Sequence, residues 1–219
     1  MKDIFIVLPG FNEEKHIFKT IKSVERLGFK NVVFVDDGSS DSSVSEALKT
    51  SAVVLRHRVN LGKGSAVKTG CDFAVSKGAK IVILMDSDGQ HEAKDIKRFL
   101  SKIKSCDVVF GFRSFDKSMP FTMRFGNVFL TFVTRLLFGI NVRDTQCGFR
   151  CFRASVYDRI RWYSRDYGME SEMIARVARN NLRFSETRIS TVYLDKHKGT
   201  TPIDGFRVLF NMLRYKFFG

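Results

Sequence analysis

Apolar and polar positions fall into regular blocks along the first half of the chain. Ile4–Leu8 is an unbroken apolar run that stops at Pro9-Gly10. Val32–Val35, Val53–Leu55, Ile81–Met85 and Val108–Phe110 repeat it, each followed by polar or turn-forming residues. Short apolar runs bounded by turn signals read as buried strands. Between them the period lengthens. Glu13–Arg26 carries Ile17, Ile21 and Val24 on one helical face, and Gly62–Val75 and Glu92–Ile103 read as further helices. Ser40 or Asp41 supplies a cap for another. Strand and helix alternate, and the strands are apolar throughout. That predicts a mainly parallel sheet covered by helices on both faces.

After Arg113 the rhythm changes. Phe125, Phe129, Phe132, Val133, Leu136 and Ile140 form a wide helical stripe, read as core or as the wall of a lipid channel. A turn over Asp144–Phe149 follows, then a helix around Met169–Val177 and a strand over Arg183–Leu194. The last element, Ile203–Phe218, is an amphipathic helix. Phe206, Leu209, Phe210, Leu213 and Phe217 share one face, flanked by Arg207, Arg214 and Lys216. Such a helix either docks on the core or lies in a membrane interface. No repeat or linker divides the chain, so its 219 residues read as one domain.

Charge adds a partner to this picture. The net charge is +14, and 15 of the 19 arginines lie after residue 100. Arginine is the better bidentate ligand for phosphate, so an anionic partner is expected at the C-terminal half. No RNA- or DNA-binding motif accompanies the charge, so nucleic acid is not expected. Cys71, Cys106, Cys147 and Cys151 show no C-x-x-C or zinc-finger spacing. Without a secretory signal they read as reduced cytosolic thiols. No uncharged apolar run reaches the roughly 18–20 residues that span a bilayer, which leaves peripheral membrane contact open.

The candidate chemistry is positional. Ligands of open α/β sheets bind beyond the carboxyl ends of the strands. Three strands end there in polar clusters: Pro9–Glu13, Asp36–Ser39 and Asp86–His91. Asp86 and Asp88, two residues apart past a strand, reach one hard cation from the same side, and Mg²⁺ or Mn²⁺ suits such oxygen donors. Turn and cap roles are the bland alternative. Asp36 and Asp37 accept hydrogen bonds from a base or ribose, or simply end a strand. Asn60–Ser65, with Lys63, resembles a phosphate-cradling helix start but lacks the P-loop spacing.

These segments, in order, resemble the signature of family 2, GT-A-fold glycosyltransferases. The likeness continues through Gly111-Phe112-Arg113, Arg124, Asp144–Arg150 and Lys198–Thr201, similar to the dolichol-phosphate mannose synthase branch. It spans residues 3–201. The resemblance implies an α/β GT-A fold with a nucleotide-sugar half (1–113), an acceptor half (114–202) and the amphipathic C-terminal helix (203–219). It implies that Pro9, Phe11 and Glu13 line the nucleoside pocket with Asp36 or Asp37. Asp86, Asp88 and Gln90 would hold the cation against the diphosphate. Arg113 and Arg124 would grip the acceptor phosphate, with Lys198 closing over. Phe11 stands where tyrosine is common, Phe112 where a small residue is usual, and Gln146-Cys147 where Thr-Ser is commoner.

The implied reaction is inverting transfer of a sugar from a nucleotide-diphospho-sugar, GDP- or UDP-linked, to a polyprenyl (dolichyl) phosphate on the cytoplasmic membrane face. A phosphate acceptor is already ionised near neutrality, so it needs a clamp more than a general base. The Q-x-x-R-W motif of processive synthases is absent. A transferase using a hydroxyl acceptor, or a silent sugar-nucleotide-binding module at a membrane surface, are the alternatives.

Overall fold

The structure, a computed structural model, describes residues 2–113, 121–191 and 202–218; at 121–125, 202–204, 206 and 218 it describes backbone alone. Seven strands form one sheet: β1 (Ile4–Gly10), β2 (Asn31–Asp36), β3 (Val53–Arg56), β4 (Ile81–Leu84), β5 (Val108–Phe112), β6 (Arg150–Arg153) and β7 (Phe184–Arg188). Their order is β3-β2-β1-β4-β6-β5-β7, and all pairs are parallel except those made by β6. Alternation along the strands sorts side chains into two cores. Val7, Val33, Val35, Val82 and Leu84 face one side; Ile6, Leu8, Phe34 and Ile83 face the other.

The first face packs under α3 (Lys63–Ser76) and α7 (Gly168–Arg179), with α6 (Tyr157–Ile160) and Trp162 alongside. The second packs under α1 (Ile17–Glu25) and α4 (Ile96–Lys102), with Ala47 of α2 (Ser43–Leu48). α1 starts later than its periodicity suggests. Residues 11–16 are used as a loop, in which Asn12 takes φ of 56° and Ser39 and Ser43 hydroxyls accept the Asn12 and Glu13 amides at 2.8 and 2.7 Å.

β6 is absent from the pattern reading because arginines stand at both its ends. It inserts antiparallel between β4 and β5. Arg150 is fully buried, and its guanidinium donates to the carbonyls of Cys147, Thr145 and Glu170 at 2.9, 2.8 and 2.6 Å. Three acceptors offset the desolvation of that charge. The strand expected over Arg183–Leu194 is shorter, ending at Arg188, with an isolated bridge from Thr191 to His91; residues 192–194 lie outside the described residues.

α5 (Phe121–Phe138) and α8 (Pro202–Phe218) pack on each other through Leu130, Val208 and Met212. The reading of α5 as core or channel wall needs correction: Val128, Phe129, Phe132 and Leu136 are exposed. α8 docks on the core by one face and leaves the other exposed. Val208 and Met212 are core, whereas Phe210, Leu213 and Phe217 face out. Arg179 fastens its end, donating to the Tyr215 and Lys216 carbonyls at 3.0 and 3.2 Å.

Candidate active site

Strand ends, helix starts and one later turn enclose a cavity of about 490 Å³ beyond the carboxyl edge of the sheet, a size suited to a small-molecule ligand. Pro9, Gly10, Phe11 and Glu13 come from the end of β1, Asp37 from the end of β2, and Asp86, Ser87, Asp88 and Gln90 from the end of β4. Arg113 follows β5. Asn60, Gly62, Lys63 and Ala66 come from the α3 entrance, and Gln146, Asp166 and Tyr167 close the side formed by the second half of the chain.

The α3 entrance is held by one carboxylate. Asp37 accepts the Leu61 and Gly62 amides at 3.0 and 2.8 Å and pairs with His57 Nδ1 at 2.7 Å. His57 Nε2 lies 2.9 Å from Thr69 Oγ1. Gly62 has φ of +95°, and a Cβ there would meet the Arg165 carbonyl oxygen at 2.6 Å, so the turn needs glycine twice over. Asp36 is different. Successive residues at a strand end point to opposite faces, and Asp36 turns away, accepting the Ser39 amide at 3.2 Å and pairing with Arg56 at 3.3 Å. It is not among the residues lining the cavity.

Lys63 ties the two halves together. Its Nζ lies 2.8 Å from Asp86 Oδ1 and 3.1 Å from Glu170 Oε1, with Glu170 fully buried at the start of α7. Burial alone would raise the Asp86 pKa, but Lys63 outweighs it, with help from His91, and holds the carboxyl at about 2. Burial opposes charge on Lys63 as well; Asp86 and then Glu170 prevail and raise its pKa above the ordinary lysine value. His91 Nδ1 accepts the Asp86 amide at 3.2 Å, and burial lowers the pKa of its ring against the pull of Asp86. The turn before β6 sits directly on this pair: a Cβ at Gly148 would come within 2.6 Å of Asp86 Oδ2 and 2.9 Å of Lys63 Nζ.

Across the cavity, Arg113 is paired bidentately with the buried Asp144, Nε to Oδ2 at 2.8 Å and Nη2 to Oδ1 at 3.1 Å. Burial pushes the Asp144 carboxyl up; the Arg113 guanidinium overrides this and keeps it below the usual range.

The cavity thus gathers Pro9, Phe11, Glu13, Asp37, Lys63, Asp86, Asp88, Gln90 and Arg113 from the sequence reading. Asp36 stays outside it; the Arg124 side chain and Lys198 lie outside the described residues. Motif reasoning gave no role to His57, Asp144, Asp166, Tyr167 or Glu170. His57 directly follows β3, so the strand-end rule would have found it. Asp166, Tyr167 and Glu170 surround the start of α7, where no strand end marks them.

The donor set suits a hard divalent cation. Asp86 and Asp88 carboxylates and the Gln90 amide oxygen are all oxygen ligands. Among the described residues, no three His, Cys, Asp or Glu side chains gather as a metal cage. A site with one or two carboxylates is the arrangement in which diphosphate oxygens and water complete the shell, as Mg²⁺ prefers.

A parallel α/β sheet with this carboxyl-edge cavity, interrupted by one antiparallel strand, defines a GT-A architecture. The family model for glycosyl transferase family 2 matches residues 5–161. The UDP-N-acetylglucosamine–dolichyl-phosphate N-acetylglucosaminyltransferase of Methanococcus voltae is 31% identical, over 98% of this chain and 96% of the relative. The undecaprenyl-phosphate mannosyltransferase of Micrococcus luteus is 24% identical, over 92% and 88%. Among solved structures, glucosyl-3-phosphoglycerate synthase from Mycobacterium tuberculosis, in complex with Mn²⁺, UDP-glucose and phosphoglyceric acid, superposes with a TM-score of 0.75. It is 19% identical, over 97% of this chain and 79% of that one. The chain belongs to glycosyl transferase family 2, in its dolichol-phosphate mannose synthase-like branch, and is a glycosyltransferase.

Proposed function

We propose that this protein, acting as one domain, moves a sugar from a nucleotide-diphospho-sugar to a polyprenyl phosphate at the cytoplasmic face of a membrane. The observation that carries this reading is one cavity with an acidic donor wall, Asp86 and Asp88, and a carboxylate-aimed arginine, Arg113, beyond β5. Pro9, Phe11, Glu13 and Asp37 bind the nucleoside. Asp86, Asp88 and Gln90 would hold Mg²⁺ or Mn²⁺. When bound, the cation supplies positive charge for the departing diphosphate. Lys63 presents its ammonium beside it. Arg113, with Arg124 and Lys198 as the family resemblance implies, grips the acceptor phosphate. A phosphate oxygen then attacks the anomeric carbon as the bond to the nucleoside diphosphate breaks, with inversion. No proton must be removed from the acceptor.

The test is purified protein with a short polyprenyl phosphate and a panel of UDP- and GDP-sugars, with and without EDTA. The Methanococcus voltae relative makes UDP-N-acetylglucosamine the first donor to try. Sugar label extracted into organic solvent is the expected result. Label retained in the aqueous phase on a hydroxyl acceptor would overturn the phosphate reading.

The membrane contact is assigned to the outer faces of α5 and α8. Phe132, Phe210 and Phe217 are 63, 67 and 69% exposed, near exposed Arg135, Arg207, Arg214 and Lys216. Among the described residues no helix is long and apolar enough to cross a membrane, so the contact is interfacial. Each phenylalanine buried in an apolar phase contributes about 1.5–3 kcal/mol. The variant Phe132→Glu/Phe210→Glu/Phe217→Glu is expected to stop floating with anionic vesicles while melting normally, and salt to release part of the native protein. Unchanged flotation of that variant rules the assignment out.

A further inference from the structure

Asp144 is 1% exposed and accepts five hydrogen bonds from the described residues. Two come from the Arg113 guanidinium, and a third from the Arg113 backbone amide at 3.2 Å. The fourth comes from Asn127 Nδ2 of α5 at 2.8 Å and the last from the Gln146 amide at 3.1 Å. Both ends of residue 113 are therefore fixed by one carboxylate, and Gln146, another cavity residue, is fixed by the same group. A buried charge with that many partners resists rotation, because any movement of the guanidinium breaks the ion pair that offsets the burial of the carboxylate. The pairing also has a cost in charge: Asp144 cancels much of the pull that Arg113 would exert on an anion. A phosphate clamp built for attraction alone would omit it. What the pair supplies is direction, since a guanidinium has five donors in a fixed fork and Asp144 engages the Nε edge.

We propose that Asp144 is a positioning residue for the acceptor step. It aims Arg113 into the cavity, and Asn127 anchors that aim to α5, the helix whose opposite face carries exposed Val128, Phe129 and Phe132. The acceptor clamp is thus mechanically tied to the helix assigned above to the lipid surface. This inference rests on the reading of Arg113 as a ligand of the acceptor phosphate.

A double-mutant cycle separates the two. Acceptor KM and kcat are measured for native protein, Arg113→Ala, Asp144→Asn and the double variant, with nucleotide affinity by calorimetry. A group that acts only through another shows no further effect once that other is gone. Asp144→Asn should raise acceptor KM by about tenfold in the native background and by less than about twofold in Arg113→Ala, with nucleotide Kd unchanged throughout. Equal effects in both backgrounds, or an equal loss of nucleotide affinity, overturn the positioning role while leaving the Arg113 reading intact. An unchanged acceptor KM in Arg113→Ala overturns the reading itself, and the inference falls with it. Asn127→Ala, which keeps the Arg113–Asp144 pair, repeats the test if Asp144→Asn fails to fold: a smaller rise in KM, again abolished by Arg113→Ala, supports the relay, and additivity refutes it.

Discussion

Asp88→Asn is expected to lower the rate of sugar transfer at least ~100-fold, a loss of about 2.7 kcal/mol of transition-state stabilisation. The two side chains have the same shape, so packing is unchanged and only the charge is lost. Asp86 cannot replace it, because Lys63 already occupies Asp86 Oδ1 at 2.8 Å. Asp88 itself spends Oδ1 on the Gln90 amide at 3.0 Å, a bond that holds the turn with its carboxylate toward the cavity. Single-turnover rates at saturating donor isolate the chemical step, and calorimetry without added cation shows whether the nucleoside pocket is intact. A variant as fast as the native protein, or a native protein indifferent to EDTA, removes the cation from the proposed site.

The second large effect concerns stability. Lys63→Met takes away the cation shared by Asp86 and Glu170, leaving the half-buried Asp86 and the buried Glu170 carboxylates facing one another's field. Breaking a fully buried ion pair by removing one partner costs about 3–5 kcal/mol; Lys63 and Asp86 are partly exposed at the cavity wall, so a cost of about 2–3 kcal/mol is expected, which for a chain of this size lowers Tm by about 5–10 °C. The pH dependence follows from the depressed carboxyl. Asp86 titrates at about 2 in the fold against an ordinary 3.8. Its contribution is fully present above the ordinary value and is lost as pH falls through the folded one, between about pH 4 and 2. In Lys63→Met the burial that Lys63 had overridden pushes the carboxyl up instead, so acid stability is lost at higher pH. Thermal melts in metal-free buffer from pH 3 to 8 test both points; identical melting curves would show that Lys63 carries no such weight.

How far a residue could be read in advance depended on whether its role was local. Ile4–Leu8 and Ile81–Met85 announce buried strands because both their faces must be apolar, and Asp86 and Asp88 announce a site because they follow one. Nothing local marks Arg150–Arg153 as a strand. Arg150 is buried because carbonyls of Thr145 and Cys147, in the turn just before it, and of Glu170, at the start of α7, converge on it, and that convergence is visible only in the fold. Glu170 belongs to the same class: its partner Lys63 is more than a hundred residues away. The error on α5 had a different source. Its stripe of Phe129, Phe132 and Leu136 has the periodicity of a core-facing helix, and periodicity records that one face is apolar without saying what covers it. Asp36 and Asp37 were inseparable by composition, and the pleat of β2 distinguishes them.

The place of β6 also bears on the order in which the protein can be made. β1 to β4 pair among themselves, so the nucleotide side of the sheet has its strands once about the first 85 residues have left the ribosome. β5, which ends one residue before Arg113, pairs among the described residues only with β6 and β7, both encoded later. Until residues 150–153 arrive, β5 lacks the strand partners seen among the described residues, and Asp144 has only just been added to the growing chain. Assembly therefore runs against the order of translation at this edge, and the half of the cavity assigned to the acceptor is the last to be completed.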